Sequence, residues 1–332
     1  MSFHDVIIVG AGPAGLAAAI AARRRRLDYV VLEKGVLVNS IYHFPTHMVF
    51  FTTPELLEIG GLPFVSPFEK PTRLEALRYY RRVADVEQLR IEMNVTVCGI
   101  RPDEAGGFVV ETETESGRSA RCARTVVLAI GYYDRPNLLG IPGEDLPHVS
   151  HYYRDAHPLY RKRVVVVGGA NSAAEAALEL YRSGAHVTLV HRGATFNRAV
   201  KYWVLPDIQN RITEGSIAGR MDTRIVEIRP GEVVLEHDGE LATVPADHVF
   251  LLTGYRTDAG LLRRSGIDLD ACTWMPAHNP ETFETNVPNL FLAGGVISGT
   301  NEVPVFIENG RFHGARVIEV IAGRLRGGTR AP

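Results

Sequence analysis

DVIIVGAGPAGLAAAIAARRRRLDYVVLE, residues 5–33, is the stretch that decides the fold. Residues 5–9 are mostly β-branched and lack polar alternation, the pattern of a parallel strand buried on both faces. Gly10-Ala11-Gly12-Pro13-Ala14-Gly15 follows as a G-x-G-x-x-G turn. Gly10 permits the tight turn, Gly12 lets the backbone approach a pyrophosphate, and Gly15 lets the helix pack close to the strand. The Ala-rich segment 13–25 is then a helix whose N-terminus offers free N–H groups to phosphate. A second strand, 28–33, ends at Glu33, where a carboxylate can accept both hydroxyls of a ribose. Glu33 would repel a 2′-phosphate, so NADP is excluded here and FAD or NAD is left. A lone G-x-G-x-x-G is weak, but strand, turn, helix, strand and acid in order outweigh a purely structural glycine turn. The run Arg23–Arg26 falls at the helix end, where cations favour the dipole. One such run in a nearly neutral chain makes no nucleic-acid groove.

The same order recurs. RVVVVGG (163–169) is a strand and turn, NSAAEAALELYRSG (171–184) a helix closed by Gly184, and HVTLVHR (186–192) the next strand. Gly168-Gly169-Ala170-Asn171-Ser172-Ala173 occupies the equivalent turn, with Ala170 where the close-approach glycine belongs. Ser172 and backbone N–H groups could supply the phosphate hydrogen bonds. The second strand ends in His191-Arg192 rather than an acid, with Arg198 and Lys201 close behind. Cations there suit the adenosine 2′-phosphate of NADPH; a solvated basic loop is the alternative. Further strands are expected over 106–117, 121–130, 224–236 and 241–252, a crossover over 131–147, a strand and glycine turn over 289–296, and a helix over 306–322. The fold class that follows is α/β, with two doubly wound, Rossmann-like dinucleotide-binding domains, the second inserted into the first. The boundaries read as 1–145 with 258–332 for the outer domain and 146–257 for the insertion.

The bulk numbers set limits. The chain has 332 residues, 45% hydrophobic and 22% charged, with a formal net charge of −2. That composition fits a soluble globular protein and gives no global sign of nucleic-acid or membrane-surface binding. No export signal and no run long enough to span a bilayer is visible, so the expected compartment is the cytoplasm. Cys98, Cys122 and Cys272 are far apart in sequence, with no C-x-x-C, and read as isolated reduced thiols. No metal-ligand spacing, Ser-His-Asp set or carboxylate pair can be assembled.

GAGPAGLAAAI with Glu33, VVVVGGANSAAEAALEL and VVLAIGYYDRPNLLGIPG resemble the FAD turn, the inserted NADPH turn and the strand before the crossover of the low-molecular-weight thioredoxin-reductase-like flavoproteins. Within that group SIYHFPTHMVFFTTPELLEIGGLPF (40–64), LPHVSHYYRDAHPLY (146–160), KYWVLPD (201–207) and FIENGRFHG (306–314) are similar to segments of the bacillithiol-disulfide reductases. The resemblance covers essentially the whole chain. It implies an NADPH-dependent FAD oxidoreductase acting on a low-molecular-weight thiol disulfide, as a homodimer or higher homo-oligomer. The FAD contacts it implies are Gly10, Gly12, Pro13, Ala14, Gly15, Glu33, Lys34, Val97 and Gly131. Ser40, Ile41, Thr46 and His47 would lie along the isoalloxazine, and Gly295, Val296 and Ile307 at its pyrimidine edge, with Glu308 and His313 as polar candidates. NADPH would meet Gly169, Ala170, Asn171, Ser172, His191, Arg192, Lys201 and Gly254. His47, and the pair His148 and His151 beside Tyr152 and Tyr153, are candidates for proton delivery.

Three departures from the family pattern matter. Where thioredoxin reductases carry C-x-x-C the chain reads SHYYRDA (150–156), so a dithiol relay is absent. The cysteine that bacillithiol-type enzymes often carry in the FAD turn is Ala14 here. The usual late Gly-Asp, whose Asp binds the ribityl chain, reads Ala293-Gly294-Gly295. Three other functions remain open. A ferredoxin or flavodoxin–NADP reductase would usually end in an aromatic stacked on the flavin, which the tail AGRLRGGTRAP (322–332) lacks. A flavin monooxygenase would need a G-x-x-x-H spacing that Gly143 and His148 do not meet. A non-catalytic nucleotide-binding redox sensor is the third.

Overall fold

The computed structural model describes residues 3–104, 106–300 and 305–327; the last five residues of the tail, 328–332, lie outside it. The chain divides into two compact units, Met1–Arg135 with Tyr255–Pro332, and Pro136–Gly254. The divisions fall some residues before the expected 145/146 and 257/258. Residues 136–145 go with the second unit because their bonds lie there: Asn137 N–H donates to Gly254 O at 3.0 Å, and Ile228 N–H to Pro142 O at 2.9 Å.

The first unit is built on a seven-stranded sheet. Strands Ile91–Met93, Tyr29–Glu33, Phe3–Val9 and Gly117–Leu128 lie side by side in that order, all parallel. The last of these branches the sheet. Its C-terminal end pairs in parallel with Leu290–Leu292, and its N-terminal half continues antiparallel into Phe108–Thr114 and then Thr96–Pro102. The lack of alternation in residues 5–9 now has its cause. Val6 and Ile8 enter one core with helices Pro13–Arg24 and His313–Gly327, while Ile7 and Val9 enter another beneath the antiparallel strands and helix Ala259–Arg264. Arg23 and Arg24 are held by more than the helix dipole, since both reach the buried carboxylate of Glu87, at 3.2 and 2.5 Å.

The second unit repeats the plan. Ala218–Arg220, His186–Val190, Arg163–Val167, His248–Leu251 and Val149–Ser150 form a five-stranded parallel sheet in that order. Val164 and Val166 face helix Asn171–Arg182, and Val165 and Val167 face a separate three-stranded antiparallel sheet.

Three expectations need correction. The segments 224–236 and 241–252 are each two strands: Arg224–Arg229 and Glu232–His237, then Glu240–Pro245 and His248–Leu251. Pro230-Gly231 is a turn, with Gly231 at φ +85°, and Pro245 ends a strand because it has no N–H to donate onward. The strand expected from 121 starts at Gly117. The helix expected over 306–322 is Ile307–Gly310 followed by His313–Gly327. The break lets the second piece lie against the first helix, where a Cβ on Gly314 would stand 2.5 Å from Ala18 N and 2.6 Å from Ala14 O.

Candidate dinucleotide sites

At the first turn the backbone leaves Val9 at the C-terminal edge of the sheet and enters helix Pro13–Arg24. Gly10 has φ +105°, and a Cβ on it would meet Ala129 O at 2.5 Å. A Cβ on Gly15 would lie 2.0 Å from Gly10 O, so the helix can start this close to the strand only with glycine there. Gly12 differs: its backbone is extended (φ −73°, ψ 175°), and a Cβ would meet no protein atom within 4 Å. Nothing inside the protein requires glycine at position 12. The open space before the helix N-terminus does, if a pyrophosphate lies there.

Glu33 is only 5% exposed. One carboxylate oxygen accepts Ala11 N–H at 2.7 Å and the other Gly35 N–H at 3.0 Å, which leaves lone pairs for ribose hydroxyls. Burial pushes its carboxyl above the ordinary range; the two backbone N–H groups and Lys34 pull the other way, and Asp134 adds to the rise. Lys34 pairs with Asp134 at 2.8 Å. The chain then places Val38, a β-branched residue, in the left-handed region at φ 48°, ψ 49°, with its N–H on Ala11 O at 3.1 Å. Such a conformation costs about 1–3 kcal/mol and marks a segment held in place by its surroundings. No sequence signal announced it.

From Val38 the short helix Asn39–His43 begins. Ser40 is half-buried, Thr46 and His47 are exposed, and Ile41 turns its side chain into the core while its carbonyl accepts Arg73 Nε at 3.0 Å. Val97 likewise points into the core, beside a segment whose Val95 N–H bonds Glu33 O at 2.9 Å. Gly131 has φ +64° and open space on its Cβ side. Sequence reasoning missed an aromatic wall here: Phe44 meets Tyr133 edge-on at 4.9 Å, and Tyr133 meets Tyr255 at 4.6 Å.

The late turn explains the missing Asp. A Cβ on Gly295 would meet the ring of Tyr132 at 2.8 Å, so a side chain at that position would have to displace the ring. Gly294, at φ +76°, would press a Cβ to 2.7 Å from Ala14 Cβ, and Gly310 packs on the same glycine. Val296 is fully buried, with its carbonyl accepting Thr257 Oγ1 at 3.1 Å. Glu308, at the start of helix Ile307–Gly310, adds to the rise in the Tyr132 phenol that burial causes.

His313 turns out to be a scaffold for this turn. Its Nδ1 accepts Gly294 N–H at 3.2 Å, which requires the neutral ring, and the ring stacks on Phe283 at 4.3 Å. Burial, with His278 adding, lowers its pKa to about 4. A histidine depressed in the folded state contributes stability that is complete above its ordinary value of 6.5 and lost as pH falls through about 4. Wild type should therefore lose on the order of 1–2 kcal/mol across that window after allowance for solvent screening. His313→Gln should flatten this part of the acid profile in urea unfolding; equal profiles would refute the role.

The second turn copies the first position for position. Gly10 N–H donates to Leu32 O at 2.8 Å, and Gly168 N–H to Val190 O at 2.9 Å; Leu16 N–H returns to Gly12 O at 2.9 Å, and Ala174 N–H to Ala170 O at 3.1 Å. A Cβ on Gly168 would meet Leu252 O at 2.6 Å, as one on Gly10 meets Ala129 O. Ala170, at φ −114° and ψ −173°, matches the extended Gly12, so its methyl strains no backbone and is exposed beside Ser172. His191 takes the place of Glu33. Its ring covers Gly169, within 2.4 Å of where a Cβ would be, and its Nε2 lies 3.1 Å from Thr195 O. Gly254, at φ +91°, lies just beyond the neighbouring strand end. Arg192 and Arg198 are exposed, whereas Lys201 pairs with Glu175 at 2.5 Å.

The remaining candidates are divided between the two units. His47 belongs to the first unit, His148 and His151 to the second. His151 Nε2 faces Glu144 at 3.5 Å, the carboxylate that also accepts the N–H groups of Leu139 and Gly140, and His148 neighbours His248 on the adjoining strand. These are contacts of a sheet edge. Cys98 and Cys122 lie on different strands and Cys272 in a turn. Cys122, opposite Phe3, is six residues along the strand from the turn, roughly 20 Å away. Among the described residues no group of His, Cys, Asp and Glu could hold a metal ion.

A family model of the pyridine nucleotide-disulphide oxidoreductases matches residues 7–294. The chain is 43% identical to the bacilliredoxin reductase Bdr of Bacillus subtilis (strain 168), over 97% of this chain and 98% of that protein. Its structure is similar to the bacillithiol disulfide reductase Bdr of Bacillus cereus, with TM-score 0.95 and 40% identity over 97% of this chain and all of that one. The Staphylococcus aureus bacillithiol disulfide reductase Bdr gives TM-score 0.93 and 36% identity over 98% and 99% of the two chains.

Proposed function

The chain belongs to the pyridine nucleotide-disulphide oxidoreductase family, an NADPH-dependent flavoprotein reductase using FAD, and on that premise we propose that it reduces a low-molecular-weight thiol disulfide of the bacillithiol type without a protein dithiol. The observation that carries this is the pair of glycine turns with matching hydrogen bonds, one backed by buried Glu33 and the other by His191-Arg192, in a chain with no C-x-x-C. FAD fits the first turn: Gly12 leaves room for the pyrophosphate, and the Glu33 carboxylate has lone pairs for the ribose. NADPH fits the second, where cations replace the acid. Bound FAD would supply the two-electron chemistry that links hydride from the nicotinamide to reduction of the disulfide. The protein's part is to hold the rings, with the Gly294–Val296 backbone standing in for the missing Asp and Tyr132 closing the space beside it. No helix among the described residues is long and apolar enough to cross a membrane. The three cysteines, none of them in a disulfide, suit a reducing compartment, the cytoplasm, and the resemblance suits a homodimer.

Anaerobic NADPH should bleach the flavin, and bacillithiol disulfide should restore its colour faster than other disulfides. No stimulation of NADPH consumption over dioxygen alone would overturn the substrate, and cytochrome reduction through added ferredoxin would favour the electron-transfer alternative. A triple variant, Cys98→Ser with Cys122→Ala and Cys272→Ser, should keep disulfide turnover within about twofold of wild type, since no cysteine stands at either turn. A drop of a hundredfold would show a thiol in the electron path.

A further inference from the structure

The loop carrying the basic residues of the second site, 192–201, is fastened to the dinucleotide turn by the side chain of Asn171 and by one backbone bond. Asn171, the first residue of helix Asn171–Arg182, accepts Lys201 N–H on Oδ1 at 2.9 Å and donates from Nδ2 to Ala199 O at 2.9 Å. Only one orientation of the amide satisfies both partners, because one offers a donor and the other an acceptor. Two more bonds complete the fastening: Asn197 N–H reaches Gly169 O at 2.8 Å, and Asn197 Oδ1 accepts Ala199 N–H at 2.8 Å. Arg198 sits between Asn197 and Ala199, both of which carry these bonds. It is exposed and makes no hydrogen bond or ion pair among the described residues. Lys201 is committed to Glu175.

We infer that Asn171 is a positioning residue for coenzyme choice: its amide holds the 197–201 loop so that Arg198 meets the 2′-phosphate of NADPH. This rests on the NADPH reading of the second turn. It assigns Asn171 a role through the loop instead of a direct contact with the pyrophosphate that NADPH and NADH share. Losing the clamp frees a loop that only NADPH uses, so the two coenzymes should respond differently.

The test is anaerobic stopped-flow reduction of the holoenzyme flavin by NADPH and by NADH, which needs no disulfide acceptor. Asn171→Ala should raise the apparent Kd for NADPH by about tenfold, leave that for NADH within about twofold, and leave the limiting rate unchanged. Arg198→Ala should do the same, and the double variant should be no worse than Arg198→Ala alone. Inhibition by 2′,5′-ADP should weaken in parallel, while inhibition by 5′-AMP should not. Should Asn171→Ala lose FAD or fold poorly, Asn171→Ser, polar but too short to span both partners, carries the same expectation. Equal weakening of NADH, additive effects of the two substitutions, or unchanged preference would each overturn the role of Asn171. A wild-type flavin bleached as readily by NADH as by NADPH would overturn the coenzyme reading itself, and the inference with it.

Discussion

Gly15→Ala should yield a destabilised protein that purifies without flavin, whereas Gly12→Ala, three residues earlier, should fold as well as wild type and merely bind FAD more weakly. The difference lies in what each new methyl would meet. At position 15 the Cβ falls 2.0 Å from Gly10 O and 3.3 Å from Ala129 Cβ, so the helix must move off the strand or the turn must open. Overpacking of this kind costs about 1–3 kcal/mol, and the upper end applies because the neighbour is backbone that cannot rotate away. At position 12 the Cβ meets no protein atom within 4 Å and the backbone is extended, so the apoprotein is indifferent. Its methyl would stand where the pyrophosphate approaches, weakening FAD by about tenfold. Urea unfolding of the two apoproteins, with flavin titration of each, separates the effects. If Gly12→Ala lost as much stability as Gly15→Ala, the glycine at 12 would be structural and the phosphate assignment would fail. Ala170 makes the same point at the second turn, where a methyl already stands in the equivalent position without backbone strain.

Glu33→Ala should abolish FAD retention and cost the apoprotein roughly 2–4 kcal/mol, because the N–H groups of Ala11 and Gly35 would both be left without their acceptor in a buried place. Glu33→Gln is the finer probe. Its amide keeps one acceptor oxygen but turns an NH₂ toward the other N–H, so FAD should weaken by about tenfold to a hundredfold with a smaller loss of stability. The pH dependence carries a definite sign. Burial raises the folded-state pKa of Glu33 above its ordinary value of 4.5, so its contribution is complete below that value and is lost as pH rises through the folded value. Apoprotein stability measured across this range should fall with rising pH in wild type more than in Glu33→Gln. An unchanged flavin content in Glu33→Ala would remove the ribose role from this residue.

The two turns were legible because each combines signals that seldom coincide by chance: an unalternated strand, ordered small residues, a helix and a charged strand end. The departures in the sequence, Ala170 and Gly295, were visible as well, but their meaning was not. The space at Gly295 is filled by the ring of Tyr132, from a distant segment, and the freedom at Gly12 and Ala170 depends on which way a Cβ points. His313 looked like a polar candidate for the flavin edge and proved to hold Gly294, since whether a ring nitrogen meets ligand or backbone depends on how two helix pieces break and pack. Lys201 looked like a phosphate ligand by charge alone, yet Glu175, on the helix of the second turn, takes its ammonium group. Segment 224–236 is a hairpin and not one strand because Pro230-Gly231 turns the chain, a local signal that its apolar pattern masks.

Local order along the chain, then, determined the two βαβ starts, the acid at Glu33 and the bases at Arg192 and Arg198, because strand, turn and helix are encoded within about thirty consecutive residues. Tertiary structure alone decided the left-handed Val38, the neutral His313 on Gly294, the ring of Tyr132 beside Gly295 and the Asn171 clamp. Each of these is a contact, or a strain imposed by contacts, between segments that the sequence leaves far apart, and no local periodicity carries that information.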